Sequence, residues 1–340
     1  MLDFSVIPGA TVQQILKQEL PHLIDCVADA YKQHHQGKTI NPDSYFLRFP
    51  KAPENRIIAL PAALTGDRPI AGLKWIASYP GNIEFNVPRA SAVLILNDYG
   101  TGYPMACMEA SLISAARTAA SAVLGAFWLN GQKRRVHSLG IVGSGVIARN
   151  IVEMFKADNW SIASIAVHDL RPDSAAALVE STHALGFTAS AVPTLDEVLT
   201  CDMVVLATTA AKPYIAHPRR LRSQQIILNI SLRDLAPELV LEASNVVDDV
   251  DHCMKASTSL HLAEQQVGHR GFVDGSLAQL LLGEIGLDTV KPMIFSPFGM
   301  GILDLAVGRR VYEHAKSKHL HLPVPEFFAE TSRWKSPDWA

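Results

Sequence analysis

The chain has few cysteines and no surplus of positive charge. Its four cysteines, Cys26, Cys107, Cys201 and Cys253, are scattered, and none forms a C-x-x-C pair. This spacing argues against a zinc ribbon or a disulfide framework and is typical of proteins in a reducing compartment. The net charge of -3 offers no basic excess for nucleic acid or an anionic membrane surface.

Long apolar runs and a basic amino-terminal segment are also missing. The longest weakly charged stretch, residues 110–130, is rich in Ala and Ser and contains Arg117. We interpret it as a buried helix of a soluble protein rather than a membrane span. The opening segment MLDFSVIPGATVQQ carries an early acid and no basic residue, so we expect no signal peptide. These features predict a cytoplasmic protein with no nucleic-acid or membrane partner.

The pattern of the first third predicts an α+β domain. Residues 21–37 have helical spacing and end at a glycine. Five short apolar segments separated by Pro, Gly, Asn and Asp follow, and they read SYFLRF, RIIALPAAL, PIAGLKWIAS, SAVLILND and YPMACME. We assign residues 1–125 to a substrate-binding and dimerisation domain, which residues 298–330 complete with a helix. Residues 331–340 are expected to form a surface tail.

The pattern changes after Arg135. Short apolar runs such as LGIV, SIAVHDL, MVVLATT and QQIILNIS alternate with helical segments. Continuous apolar strands between helices predict a parallel sheet covered on both faces. The fold class is therefore α/β, with a Rossmann-type dinucleotide-binding domain over 126–297 and a discontinuous α+β domain.

A G-x-G-x-x-A motif at residues 143–148 directly follows the strand LGIV. Its first glycine permits a tight turn, its second lets the backbone approach a pyrophosphate, and the following helix start supplies amide donors. Asp169 ends the next strand, where a carboxylate can bind both ribose hydroxyls, so we expect NAD rather than NADP. Arg171 keeps NADP as an alternative. The candidate cofactor-binding residues are Gly143, Ser144, Gly145, Val146, Ile147, Asp169, Thr208, Thr209 and Ser231. For the last three, an ordinary polar loop is an equal alternative.

Single positive charges stand inside apolar segments of the first domain. A buried cation must be paired, because an isolated one is costly. Either internal acids, such as Glu84 and Glu109, or an anionic ligand could provide that pairing. Cations that converge on one cleft would hold a substrate carboxylate. The candidate substrate-binding residues are Arg48, Lys74, Arg89 and Arg117.

Asp234, in NISLRD, lies just past a strand end, where the nicotinamide is expected. A carboxylate there could handle a proton on a substrate nitrogen or activate water. A helix cap before Pro237 is an equal alternative. We expect no metal: the run DDVDHC at 248–253 is interpreted as a loop near the cofactor. We interpret four histidines as solvated, namely His34, His35, His319 and His321.

The ordered motifs resemble the ornithine cyclodeaminase/mu-crystallin family across nearly the whole chain. The resemblance rests on FLR, RIIALP, GLKWIAS, GYPMACMEASLISAARTAA, IVGSGVIA, NISLRD and SPFGMGILDLAVGRRVYEHA. It implies that Arg48, Lys74 and Arg117 hold the substrate carboxylate. It also implies that Lys74 and Asp234 are the catalytic residues, and that the protein is a homodimer formed through the first domain.

The family resemblance implies an NAD-dependent oxidoreductase that acts on the CH–NH group of an amino-acid substrate. Segments such as PRASAVLILND and VVDDVDHC are similar to those of members that form L-2,3-diaminopropionate in the biosynthesis of siderophores or related antibiotics. Ornithine cyclodeamination, alanine reduction and ketimine reduction are alternatives, as is a mu-crystallin-like binding protein. Ile58 stands where the cyclodeaminase has an acid that handles its substrate, which counts against cyclodeamination. The presence of Arg48, Lys74, Arg117 and Asp234 favours an enzyme over a binder.

Overall fold

The computed structural model describes residues 3–217 and 220–329. The strands and helices, in chain order, are β1 (Ser5–Ile7), α1 (Gly9–His35), β2 (Thr39–Ile40), β3 (Tyr45–Phe49), β4 (Ala52–Leu64), β5 (Ile70–Ser78), a 3-10 turn (Pro80–Phe85), β6 (Ala90–Asp98), β7 (Pro104–Glu109), α2 (Ser111–Leu129), β8 (Arg135–Val142), α3 (Val146–Ala157), β9 (Ser161–His168), α4 (Pro172–Ala184), β10 (Ala189–Ala191), α5 (Leu195–Leu199), β11 (Met203–Leu206), β12 (Ile226–Asn229), α6 (Pro237–Leu241), β13 (Ser244–Val247), α7 (Val250–Cys253), α8 (Ser259–Val267), β14 (Val273–Ser276), α9 (Leu277–Leu282), β15 (Met293–Ser296), α10 (Gly301–Ser317) and β16 (Leu322–Pro323).

The contacts group the chain into two units. Within the described residues, the first unit comprises 3–19, 37–114 and 300–329, and the second comprises 20–36 and 115–299. The second unit thus includes residues 20–36 and 115–125, which the sequence-based division placed in the first domain. The division into 1–125 with 298–330, 126–297 and 331–340 stays a prediction, and its tail lies outside the described residues.

The first unit contains a mixed sheet in the order β16-β1-β7-β6-β5-β4-β2, with β3 also paired to β4. Strands β3 to β7 pair antiparallel in sequence order, so the five apolar segments predicted as strands are confirmed. Helix α10 packs on β4, β5 and β6. A Cβ atom at Gly308 would collide with the Leu94 side chain, and one at Gly301 would lie 3.1 Å from the Ala62 Cβ. Glycine at these positions therefore lets α10 lie close to the sheet.

Strand β5 presents one buried row of side chains. Successive residues of a strand point to opposite faces, so Ile70, Lys74 and Ser78 share a face. All three side chains are buried. Leu60 lies directly opposite Lys74, and Arg56 lies directly opposite Ser78. Because directly opposed residues project from the same side of a sheet, a polar row crosses this face.

The second unit has the Rossmann-type topology that the sequence predicts. Its eight strands run in the order β10-β9-β8-β11-β12-β15-β13-β14, and every pair is parallel. Each residue of β11, β12, β13 and β15 is buried, as expected for a sheet covered on both faces. The order of connection reverses between β8 and β11. Ligands of such sheets bind outside the carboxyl ends of the strands at this reversal.

Helix α1 is longer than the sequence indicates. The spacing predicts a helix over 21–37, whereas α1 begins at Gly9 and contains Pro21 in its interior. Proline has no backbone N–H to donate and is favoured in the first turn of a helix, where this donor is not needed. Pro21 therefore resembles a helix start in the sequence. Val12, Ile15 and Leu16 are buried at helical spacing upstream of it. Their burial stabilises the extra turns despite the proline.

Helix α2 confirms the apolar helix predicted over 110–130. It is long and apolar enough to cross a membrane by those two criteria alone, and 72% of its most apolar window is buried. Core helices of soluble proteins meet the same criteria. Gly131, with φ +61, follows the helix end, where glycine adopts the left-handed conformation without steric cost.

Candidate functional site

A glycine turn joins β8 to α3 in the second unit. Gly143 has φ +88, and a Cβ atom there would lie 2.6 Å from the Ala207 carbonyl oxygen, so only glycine fits. Gly145 caps α3, and a Cβ atom built on it meets no heavy atom within 4 Å. A side chain would fill this open space in front of the helix amides, which is the place of a dinucleotide pyrophosphate. Ala148, which is fully buried, allows close packing behind the glycine turn.

Asp169 lies beside the glycine turn. Its Oδ2 accepts a hydrogen bond from the Ser144 amide at 2.7 Å, and its Oδ1 accepts one from the Arg171 amide at 2.9 Å. The carboxylate is thus held at the end of β9, where an acid binds ribose hydroxyls and disfavours a 2′-phosphate. Val146 is exposed and Ile147 is half-buried at the start of α3. These residues fit NAD.

Asp234 is fully buried just beyond β12 and is surrounded by hydroxyl donors. Its Oδ1 accepts hydrogen bonds from Thr208 Oγ1 at 2.5 Å and from the Tyr214 hydroxyl at 2.6 Å. The Ser231 hydroxyl donates to its Oδ2. Burial, followed by the charge of Asp234, raises the pKa of Tyr214 far above its usual value. Tyr214 therefore keeps its proton and remains a donor.

This arrangement excludes the helix-cap interpretation of Asp234, because Ala236 is the N-cap of α6. Thr208 and Ser231, predicted to bind the cofactor, contact Asp234, whereas Thr209 is exposed. Tyr214 was not predicted from the sequence. Its position in the loop after β11 was the available signal, although no pattern specified that its hydroxyl reaches Asp234.

Lys74 forms a buried ion pair in the first unit. Its Nζ lies 2.6 Å from Asp304 Oδ2, and the two side chains are 2% and 1% exposed. The ammonium also donates a hydrogen bond to Ser114 Oγ at 3.1 Å. The internal partner is thus an acid from α10, which the sequence analysis did not name. Both charges are buried, and each compensates the other.

The two acids that the sequence suggested as internal partners lie elsewhere. Glu109 accepts hydrogen bonds from the backbone amides of Ser111 and Leu112 at 2.7 and 3.2 Å and so caps α2. Glu84 is exposed in the 3-10 turn. Neither is the acid found beside Lys74.

The structure assigns the candidate substrate cations to both units. Arg48 is exposed on β3, with its guanidinium 5.0 Å from the Phe46 ring centre. Arg89 is half-buried and donates to Ser78 Oγ at 2.8 Å. Arg117, in the second unit, is half-buried on α2 beside Gly299, whose amide donates to Asp248. Their convergence on one substrate remains a prediction.

The interpretation of the histidines as solvated is confirmed for His35 and His319, which are exposed, and is wrong for His34 and His321, which are half-buried. His34 Nε2 lies 3.2 Å from Asp249 Oδ2, and His35 Nε2 lies 2.9 Å from a Glu284 oxygen. Asp249 Oδ1 also lies 2.7 Å from His252 Nδ1, and Asp249 caps the short helix α7. The segment DDVDHC, which we predicted to be a loop, is therefore helical over Val250–Cys253. Across 3–217 and 220–329, no three His, Cys, Asp or Glu side chains are grouped to hold a metal ion.

The sequence profile of the ornithine cyclodeaminase/mu-crystallin family matches residues 10–319. The chain therefore belongs to this family, as its motifs predict. It is 30% identical over 310 residues to N-((2S)-2-amino-2-carboxyethyl)-L-glutamate dehydrogenase of Staphylococcus aureus, a match that covers 87% of this chain and 91% of that protein.

Solved structures support the same fold. An archaeal alanine dehydrogenase dimer with bound NAD has a TM-score of 0.85 and 26% identity, covering 96% of this chain and 100% of that one. A Δ1-pyrroline-2-carboxylate reductase of Thermococcus litoralis, in complex with NADH and L-proline, has a TM-score of 0.86 and 23% identity, covering 94% and 99%. The predicted class, an NAD-dependent oxidoreductase of amino-acid substrates, is the class of these relatives and is confirmed.

Proposed function

We propose that the protein oxidises N-(2-amino-2-carboxyethyl)-L-glutamate at the α-carbon of its glutamate part, with NAD as oxidant. The substrate loses a hydride to NAD and a proton from its nitrogen, which leaves a C=N bond. Water then adds to this imine, and cleavage of the C–N bond gives 2-oxoglutarate and L-2,3-diaminopropionate. The observation that carries the proposal is the 30% identity to the Staphylococcus aureus enzyme over 87% of the chain.

The second unit would bind NAD, which supplies hydride acceptance when bound. Gly143, Ser144 and Gly145 would hold its phosphates together with the first turn of α3, including Val146 and Ile147. Asp169 would bind the ribose hydroxyls. Thr208, Thr209 and Ser231 follow the ends of β11 and β12 and would line the crevice on the nicotinamide side.

Asp234 would carry the proton chemistry. We assign it to accept the proton of the substrate nitrogen and then to orient the attacking water. Its three hydroxyl donors, Thr208, Tyr214 and Ser231, fix the direction of the carboxylate. A fixed carboxylate reduces the reorganisation that proton transfer requires.

Lys74, with Arg48 and Arg117, would bind the carboxylate next to the reacting carbon. Asp304 neutralises the Lys74 ammonium, so the substrate carboxylate would join an existing ion pair rather than meet an isolated charge. Positioning of this kind accounts for a large share of catalysis when the chemistry belongs to a cofactor.

The test is to mix purified protein, NAD and candidate amino acids, to follow NADH absorbance at 340 nm, and to identify products by mass spectrometry. NADH formation with the glutamate conjugate, together with 2-oxoglutarate and diaminopropionate, would support the proposal. Proline and ammonia from ornithine without net NADH would replace it with cyclodeamination. NADH binding without turnover of any candidate, including ketimines, would favour a mu-crystallin-like binding protein.

Alanine dehydrogenase activity is the second candidate. It is favoured by the TM-score of 0.85 and the 26% identity to the archaeal alanine dehydrogenase. Oxidation of alanine with a higher kcat/KM than that of the glutamate conjugate would establish it. The same dimeric relative supports our proposal of a homodimer, which light scattering on the purified protein would test. We also propose a cytoplasmic location, because the four cysteines are free, as is typical of a reducing compartment.

A further inference from the structure

Leu232 has a left-handed backbone conformation, with φ +75, in the loop between β12 and α6. This conformation is rare for residues other than glycine, and a bulky side chain makes it costly. Across 3–217 and 220–329, Leu232 is the one large apolar residue with a positive φ. Backbone strain of this kind is concentrated at active sites and ligand-binding sites. The conformation of Leu232 therefore calls for a functional explanation.

Hydrogen bonds to a distant segment hold this loop in place. The Leu232 carbonyl accepts a hydrogen bond from the Ser259 amide at 2.8 Å. The Arg233 guanidinium donates to the Ala256 carbonyl from Nε at 3.2 Å and from Nη2 at 2.7 Å. Strain persists where the surrounding structure fixes the backbone in this way. Because the partners lie more than twenty positions along the chain, no local sequence pattern predicts the strain at Leu232.

The loop needs a left-handed residue at this position but not a leucine. Ser231 and Asp234 flank the turn, and the Ser231 hydroxyl donates to Asp234 Oδ2. Glycine would adopt the same φ without steric cost. Leu232 is half-buried, and it is not among the apolar residues packed on the core cluster that contains Leu206 and Leu235. Neither the turn nor packing on this cluster accounts for the side chain.

The position of Leu232 in the sheet places it on the nicotinamide side of the cofactor crevice. Leu232 lies just past the carboxyl end of β12, which neighbours β11, and β11 neighbours the strand β8 that leads into the glycine turn. Asp169, the acid for the ribose, ends β9 on the other side of β8. The nicotinamide is therefore expected beyond β11 and β12. An apolar side chain at this edge has a flat ring as its natural contact.

We propose that the Leu232 side chain packs against the nicotinamide ring of bound NAD and is a positioning residue for hydride transfer. The contact buries apolar surface on both partners and so strengthens cofactor binding. It also limits rotation of the ring, which favours one geometry for the reacting carbon. This role concerns the cofactor alone and applies to any substrate of the enzyme.

The experiment compares two ligands that differ in the nicotinamide ring, namely NADH, which has it, and ADP-ribose, which lacks it. Isothermal titration calorimetry would measure both Kd values for the full chain and for Leu232→Gly and Leu232→Met. Gln224→Gly is the matched control, because Gln224 is exposed, has φ +62 and lies before the amino end of β12, away from the crevice. Urea unfolding would measure the stability of each variant.

Leu232→Gly should weaken NADH binding about 5- to 20-fold, the loss expected for a leucine contact with the ring, and leave ADP-ribose within about twofold. Leu232→Met keeps an apolar side chain and should stay within about threefold of wild type for NADH. The urea midpoints of Leu232→Gly and Gln224→Gly should not fall below that of wild type, because glycine relieves the strain. Gln224→Gly should change neither Kd.

Three results would overturn the proposal. Equal losses for NADH and ADP-ribose, or a lower urea midpoint for Leu232→Gly alone, would assign the side chain to packing within the protein. An unchanged NADH Kd in Leu232→Gly would remove it from the cofactor site. Since neither ligand is an amino-acid substrate, these results are independent of whether the glutamate conjugate is turned over.

Discussion

The two units hold their buried charged groups in opposite ways. In the first unit, Lys74 is neutralised by Asp304 under helix α10, and the pair carries no net charge. In the second unit, Asp234 accepts hydrogen bonds from three neutral hydroxyls, those of Thr208, Tyr214 and Ser231. The comparison shows that a buried ionisable group can be compensated either by an opposite charge or by neutral hydrogen-bond donors. Removing Asp304 should therefore lower the stability of the first unit, whereas changing Asp234 should lower the turnover that we propose.

The largest effect is expected for Asp234→Asn. The substitution keeps the shape of the side chain but removes its ability to accept a proton, so kcat should fall about 1,000-fold. NADH affinity should stay within about twofold, because Gly143 and Asp169 are unchanged. Stopped-flow absorbance at 340 nm and a fluorescence titration would measure the two quantities. A variant with more than a tenth of wild-type kcat would remove Asp234 from the chemistry.

Asp304→Asn should mainly affect stability. It leaves the Lys74 ammonium buried without its counter-charge, which costs about 3–5 kcal/mol of unfolding free energy. Replacing both partners, with Lys74→Met and Asp304→Leu, should recover most of that loss. Glu313→Gln, on the exposed side of the same helix, is the control. Urea unfolding followed by circular dichroism gives the free energies, and an unchanged midpoint for Asp304→Asn would break the comparison between the units.

Tyr214→Phe should have a smaller effect and should appear in turnover. It removes one of the three donors to Asp234, which corresponds to about a tenfold fall in kcat. Because the pKa of Tyr214 is far above its usual value, the residue does not titrate in the alkaline range. The alkaline limb of the pH profile should therefore be the same in wild type and variant. Tyr99→Phe, at an exposed tyrosine, should leave kcat unchanged.

Gly145→Ala should have the smallest effect on the fold. A Cβ atom at this position meets no neighbour within 4 Å, so the unfolding free energy should stay close to that of wild type. The same atom would occupy the space for the pyrophosphate, and NADH should bind more weakly. Gly143→Ala is the contrasting variant, since its positive φ and the nearby Ala207 carbonyl should cost at least about 1–2 kcal/mol. Equal stability losses in the two variants would contradict this distinction.

The sequence predicted those parts of the candidate site whose positions depend only on residues nearby in the chain. The glycine turn, Asp169 and the polar residues after β11 and β12 follow from strand ends in a parallel sheet, because each is set by its own strand. Asp304 and Tyr214 could not be found in this way. Each contacts a partner on another element, through the docking of α10 or the reach of a loop.

The start of α1 was missed for a related reason. Pro21 weakens the local helical signal, and burial of Val12 and Ile15 compensates for it. The local helix propensity around Pro21 is low, but tertiary packing outweighs it.

Helix α10 brings Asp304 to its partner through the small residues that flank it. Gly301, Asp304 and Gly308 are spaced by three and four positions and so line one side of the helix. The absent side chains of the two glycines set the separation between the helix axis and the strands, and that separation sets how far Asp304 extends below the helix. A methyl group added at Gly308 would collide with the buried Leu94 side chain, so either that side chain or the helix that carries Asp304 would have to shift. The electrostatic state of the first unit is therefore governed by steric clearance at a residue that carries no charge.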